Sequence, residues 1–272
     1  MRKVNVQVNF LASPSGCTIF VDNNITSGSC TNYNESSRNC TNGIDKAYNT
    51  LQGAANIVVP GDVVCVRGGI YSNGICTGAG KCNILYINIS GTNNQRITFE
   101  NYNEELVRLM GYGFEDRDLI NNTDGTPNPD GYADGTQIFS NREEIIVVKA
   151  DYIDLRGFEI ENSSYNGGVI RGSYNLIENL KTYNNWMAGL GIGVQTTETK
   201  IVEGNVIRYV EAYNNRHGSG IVLSRGFGGS IDIDLPVNQV TKKREGIDRD
   251  SLKKVTQLVG SSVLTLILLE VI

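Results

Sequence analysis

The chain has a single histidine, only five prolines, and no cysteine beyond residue 82 in a length of 272. No Cys-x-x-Cys pair occurs either, and together these shortages argue against a zinc site. Basic residues are outnumbered, with 24 Lys and Arg against 29 Asp and Glu, a net charge of −5. A phosphate backbone calls for a basic face, so no nucleic-acid partner is expected. Long apolar runs are missing too. The C-terminal "VTQLVGSSVLTLILLEVI" contains Glu270, and its purely apolar part is too short to span a bilayer. No polar spacer follows Gly260-Ser261-Ser262, as a lipid-anchor signal requires. At the N-terminus Asn5, Gln7 and Asn9 interrupt the apolar stretch of a secretory leader, so an export signal is expected upstream or by another route.

What is plentiful points outward from the cell. Six cysteines (Cys17, Cys30, Cys40, Cys65, Cys76, Cys82) crowd the first third among Gly-, Asn- and Ser-rich loops. An even, clustered set reads as disulfides in an oxidising compartment. The short loops favour Cys30–Cys40 and Cys76–Cys82, which leaves Cys17 with Cys65. Asn24, Asn34, Asn39, Asn88, Asn121 and Asn162 each open an Asn-x-Ser/Thr sequon, which agrees with secretion. Glycine, at 31 residues, suits frequent tight turns between short strands.

A repeat organises the middle of the chain. "DLRGFEIENS" from Asp154, "LIENLKTYNN" from Leu176 and "VIRYVEAYNN" from Val206 superpose at steps of 22 and 30 residues. Repeats of that length built from short strands indicate a solenoid. Inward columns follow: Leu155, Ile177 and Ile207; Phe158, Leu180 and Val210; then the smaller Ile160, Thr182 and Ala212. At the turn, Asn162, Asn184 and Asn214 align, with Ser163, Asn185 and Asn215 beside them, so amides can bond from coil to coil. Outward columns alternate in sign: Arg156, Glu178, Arg208 and Glu159, Lys181, Glu211. Parallel strands in register bring such charges directly opposite, about 4.8 Å apart. "AGLGIGV" and "GSGIVLS" supply a further strand face. The fold expected is all-β, a right-handed parallel β-helix over residues 18–235, between an N-terminal lead 1–17 and a non-repeat tail 236–272.

A solenoid's first coil needs a cover. Leu51, Ala54, Ala55 and Val58 fall at i, i+3, i+4 and i+7, predicting a capping helix over 49–59, started by Asn49 or Thr50 and ended by Pro60. "DVVCVRGGIY" then starts the winding, and "RITFENYNEELVRLMGY" from Arg96 adds a strand pair. With "YNTLQGAA…PGDVVCVRGGIY", "RITFENY" and "NLIENLKTYNNWMAGLGIGV" in that order, the chain resembles secreted right-handed parallel β-helix proteins. Within that group it is most similar to the pectate-lyase-like polysaccharide lyases of the ninth family. The resemblance covers residues 18–225 and rests on caps, core and ladders.

That resemblance implies calcium held by an aspartate cluster and a lysine or arginine as base. The cation offsets the charge of a sugar carboxylate and the base removes the acidified proton, giving β-elimination on an acidic polysaccharide. Here the relatives' Asn-Ala-Asp-Gly-Phe-like stretch is replaced by "RGFGGSIDIDLPVNQ". Asp232 and Asp234, two apart on a strand, are the metal candidates there. In the 115–140 insertion, Asp124, Asn128, Asp130 and Asp134 offer hard oxygen ligands suited to calcium, a solvated loop being the alternative. Arg216 and His217 stand just past the last Asn turn as catalytic candidates, and Arg216 doubles as a substrate contact. Tyr183 and Trp186 can stack on a sugar ring or pad the coil edge. Lys181, Arg208 and Glu211 read as members of the charge columns. The expected function is an extracellular, monomeric, calcium-dependent lyase of an acidic polysaccharide. The alternative is a non-catalytic carbohydrate-binding or surface β-helix. The tail, with a helix capped at Ser251, either seals the solenoid or replaces coils of a longer one.

Overall fold

Apolar residues two apart, recurring once per coil, need a wall on which every strand has the same face inward. Parallel winding provides it. The computed structural model describes residues 16–72, 83–111, 144–193, 201–215, 220–223 and 231–234, with backbone only at 223 and 231–234. Three parallel sheets run the length of this region. Sheet 1 stacks β1 (Ile19–Val21), β4 (Val63–Val66), β7 (Ile97–Asn101), β10 (Ile153–Arg156), β13 (Leu176–Glu178), β16 (Asn205–Arg208) and β19 (Ile231–Asp234). Its N-terminal edge is extended by β3 (Asp45–Tyr48) and the antiparallel β2 (Ser29–Tyr33). Sheet 2 holds β5 (Gly69–Ser72), β8 (Val107–Met110), β11 (Phe158–Glu161), β14 (Lys181–Tyr183) and β17 (Glu211–Tyr213). Sheet 3 holds β6 (Leu85–Ile87), β9 (Ile146–Val148), β12 (Gly168–Ile170), β15 (Leu190–Ile192) and β18 (Ile221–Leu223).

The expected register is the observed one. Leu155 pairs with Ile177 and Ile177 with Ile207, while Ile160, Thr182 and Ala212 align in sheet 2. Leu155, Phe158, Ile160, Ile177, Leu180 and Ile207 are all fully buried, in one continuous core. Each such side chain contributes about 1.5–3 kcal/mol, so this column set dominates stability.

Corners are made by left-handed residues at three fixed places per coil. Before sheet 1 they are Tyr152, Tyr174 and Gly204 (φ +58°, +58°, +65°). Between sheets 1 and 2 a single residue turns the chain: Gly157, Asn179 or Tyr209 (φ +76°, +53°, +54°). After sheet 2 come Asn162, Asn184 and Asn214 (φ +59°, +54°, +53°). Asparagine tolerates this region better than most residues. At Gly157 a Cβ would stand 1.9 Å from Asn101 Oδ1, so a side chain there would require Asn101 to move.

The ladder runs in the second Asn column. Ser163 N–H donates to Asn185 Oδ1 (3.0 Å), Asn185 N–H to Asn215 Oδ1 (3.2 Å), and Asn185 Nδ2 to both Thr182 Oγ1 and Asn215 Oδ1 (3.0 Å each). A second ladder, without a counterpart in the sequence columns, guards the entry to sheet 1. Ile153 N–H donates to Asn175 Oδ1 (2.7 Å) and Asn175 N–H to Asn205 Oδ1 (2.9 Å). Asn175 and Asn205 return Nδ2 bonds to Ala150 O and Gly172 O, so these buried amides are well satisfied.

The N-terminal helix α1 is short, Leu51–Ala55, rather than 49–59. Thr50 caps it by accepting from Gly53 N–H at 3.1 Å. The mid-helix glycine weakens it, and the chain leaves helical pairing at Asn56, before Pro60. Leu51, Ala54, Ala55 and Val58 are nevertheless all buried in the main core. A separate small core of Phe20, Ile25, Tyr33, Ala47, Val63 and Cys65 packs the β2–β3 hairpin against the first strands of sheet 1. Disulfides Cys17–Cys65 and Cys30–Cys40 close this region; Cys76 and Cys82 lie outside the described residues. The fully buried Asp22 anchors the hairpin, taking Arg38 at 2.8 Å and the Tyr33 hydroxyl at 2.6 Å. Burial pushes its carboxyl upward, but Arg38, Tyr33 and the Asn24 N–H outweigh that and hold it below the usual range.

Candidate functional site

Because inward positions are filled by core and ladder, chemistry is left to the outward positions of sheets 1 and 2. On sheet 1 the charge column is longer than its three-coil repeat. Glu100 pairs in register with Arg156, Arg156 with Glu178, Glu178 with Arg208, and Arg208 with Asp234. Glu178 lies 3.4 Å from Arg156 Nε and 2.7 Å from Arg208 Nε, angled as ion pairs rather than in-line hydrogen bonds. On sheet 2 the sequence Arg108, Glu159, Lys181, Glu211 continues the alternation, with Lys181 Nζ 3.4 Å from Glu159.

The two signs stand at different heights. Side chains of Lys181 and Arg108 are 46% and 33% exposed, while their carboxylate partners Glu159 and Glu161 are 21% and 5%. Sheet 1 repeats this: Arg208 is 28% exposed above Glu178 at 11%, and Arg96 29% above Asp154 at 8%. In these four pairs the carboxylate is the recessed partner and the cationic head forms the outer layer, whereas Arg67, at 7%, lies beneath Glu105 at 28%. Guanidinium and ammonium groups have more donors than one partner uses, so the outer layer keeps N–H groups for a ligand.

Tyrosines flank these cations. Tyr183 and Tyr213 stack at 5.0 Å and 4°, and the Tyr183 hydroxyl donates to Glu159 Oε2 at 3.2 Å. Burial, then the Glu161 and Glu159 carboxylates, pushes the Tyr183 phenol up to about 12. At neutral pH it is therefore a donor and not a base. Stacking occupies one face of each ring, which limits Tyr183 as a sugar platform. Trp186 is only 2% exposed, so its ring offers no open face for stacking and pads the coil edge. Arg216 and His217 lie outside the described residues.

The metal candidates divide similarly. Asp124, Asp130 and Asp134 fall outside the described residues. The backbone of Asp232 and Asp234 is described, in register with Val206 and Arg208, so Asp234 occupies the next negative position of the charge column. Among the described residues no group of three or more His, Cys, Asp or Glu side chains gathers to hold a metal ion.

Several participants escaped the sequence columns. Arg108 and Glu100 precede the 112–143 stretch, which breaks the spacing, although each directly adjoins an inward apolar residue, Leu109 and Phe99 respectively. At the corner before sheet 1, Arg96 lies over Tyr152 (5.9 Å), and Tyr152 stacks on Tyr174 (5.1 Å, 12°). Tyr174 lies against Gly204, where a Cβ would come 2.4 Å from the ring. The recurrence of Tyr one residue before Ile153 and Asn175 was the available signal.

Three parallel sheets wound into one solenoid, with internal asparagine ladders and sign-alternating outer columns, define a parallel β-helix protein. The chain belongs to the Pel9A-like family: the model described as "Pel9A-like, right handed beta helix region" matches residues 30–232. Among solved structures, pectate lyase Pel9A is similar at 16% identity and a TM-score of 0.43, over 74% of this chain and 49% of that one. A rhamnogalacturonan lyase gives 16% and 0.47, over 81% and 54%. An alginate lyase from Paenibacillus sp. str. FPU-7 gives 14% and 0.30, over 68% and 72%. The chain spans about half the length of the first two, 49% and 54%. No curated protein matches. No helix among the described residues is long and apolar enough to cross a membrane.

Proposed function

We propose that this chain is an extracellular polysaccharide-binding β-helix that takes an acidic polysaccharide across the outer faces of sheets 1 and 2. The observation that carries the reading is the layering of charge: cationic heads of Arg96, Arg108, Lys181 and Arg208 stand above recessed carboxylates. A net charge of −5 repels polyanions at long range, but contact is governed by the groups that reach the ligand. Signs alternate down each column, so its cations recur on every second coil, about 9.6 Å apart, and an extended polymer meets them in series. The two disulfides and the membership in the Pel9A-like family support an extracellular setting.

The test is retention on immobilised polygalacturonate, alginate and a glycosaminoglycan at low salt, against a neutral glucan. Retention on an acidic polymer that falls several-fold in R108Q/K181Q supports the proposal. Equal retention on the neutral glucan, or an unchanged double variant, refutes it. Family membership favours a second reading, calcium-assisted β-elimination with Asp232 and Asp234 at the metal and Arg216 or His217 as base. Elimination leaves a carbon–carbon double bond, so turnover would raise ultraviolet absorbance. Growth that stops with a chelator and in D232A/D234A establishes that reading; no growth on any of the three polymers removes it.

A further inference from the structure

Five of the six sequon asparagines are described, and the fold treats them differently. Asn24 lies in the turn after β1 and Asn88 directly after β6, both exposed. In Asn24 it is the backbone N–H that is engaged, donating to Asp22 Oδ1 at 3.0 Å, which leaves the side-chain amide outside the turn's own bonding. Asn34 and Asn39 are committed to the hairpin. Asn34 Oδ1 accepts from Ser36 and Ser37 N–H, both at 3.0 Å, and Asn39 Oδ1 accepts from the Thr41 hydroxyl of its own sequon at 2.6 Å. Asn162 occupies a left-handed corner, with Ser163 and Ser164 (the hydroxyl residue of its sequon) both buried. Its neighbour one coil on is Asn184, about 4.8 Å away, so a sugar there would sit over the next coil's corner.

We infer that Asn24 and Asn88 are N-glycosylation sites and that Asn162 is left bare. The inference rests on the extracellular reading, because the modification belongs to the secretory route. In the reaction the amide nitrogen attacks the anomeric carbon of a lipid-diphosphate-linked oligosaccharide. A C–N bond replaces the C–O bond, the lipid diphosphate leaves, and the amide gives up one proton. Both sites follow strands of the N-terminal coils, so the glycans shield that end and leave Lys181, Tyr183 and Arg208 clear for a ligand.

The experiment is expression of the full chain behind a fused secretory leader in a eukaryotic host. Secreted and microsome-enclosed protein are both digested with an amide-cleaving glycosidase in heavy-oxygen water and mapped by peptide mass spectrometry. Label is expected at Asn24 and Asn88 and not at Asn162. N24Q and N88Q should each remove one glycan step on a gel, and N162Q none. Unlabelled Asn24 or Asn88, or a labelled Asn162, overturns the assignment. Since the leader imposes the secretory route, that failure is separate from failure of the extracellular reading, which the polymer-retention assay tests.

Discussion

Replacing Glu178 by Gln removes the centre of the sheet 1 charge column while keeping its shape. Glu178 is 11% exposed between Arg156 and Arg208. Arg156 retains Asp154 at 2.9 Å and Glu100 at 3.8 Å, so the loss falls mainly on Arg208. Exposed pairs contribute about 0.2–1 kcal/mol, and breaking a fully buried pair costs about 3–5. Arg208, 28% exposed, keeps some water, which places the expected cost between these limits, at about 2 kcal/mol. Lys181→Gln is the control. Its side chain is 46% exposed, and the expected cost is about 0.5 kcal/mol, largely abolished by ~1 M salt. Urea unfolding of both variants, with an Arg208→Gln double-mutant cycle, measures the difference. Equal costs for the two variants, or a coupling between Glu178 and Arg208 under about 0.5 kcal/mol, would refute the idea that recessed carboxylates organise this face.

Asn185→Ala should cost about 1–3 kcal/mol by stranding the Ser163 N–H, whereas Asn184→Gly, at φ +54°, should be close to neutral; thermal melts of the two variants decide between the columns. Alkaline stability carries the mark of Tyr183. Its phenol is raised from 10.0 to about 12 on folding, so the folded state holds the proton more tightly and stability falls between those pH values. Tyr183→Phe should flatten that slope, and a phenolate absorbance titration without a late-ionising tyrosine would contradict the assignment. The disulfides should differ in weight. Cys17–Cys65 closes a 48-residue separation and Cys30–Cys40 one of 10, so chain entropy makes the former worth about 1.4 kcal/mol more. Paired serine variants compared in urea test this, and a larger loss for the short loop would mean hairpin packing rather than entropy governs.

Period and alternation alone determined the solenoid. Leu155, Ile177 and Ile207 share a wall because parallel pairing repeats identical residue types at identical heights, a property written into spacing. The sign-alternating columns were legible for the same reason, as was the pairing of Cys30 with Cys40 and Cys17 with Cys65. Tertiary structure decided what no column displays. Which of two adjacent asparagines turns the corner and which bonds across coils depends on backbone angle, left-handed at Asn184 and not at Asn185. The second ladder through Asn175 and Asn205 needs each amide oxygen brought within 3 Å of a backbone N–H in the neighbouring coil, and one asparagine per coil leaves too faint a pattern to read. The helix ends at Ala55 because burial of Val58 does not require helical pairing beyond the Asn56 cap. Trp186 is closed off by its surroundings, which decides between the sugar stacking and the coil-edge padding that its sequence context leaves open. The height difference between cations and carboxylates likewise follows from side-chain length on a packed wall: Arg and Lys reach past the Asp and Glu that hold them, and only the folded surface shows which sign a ligand meets first.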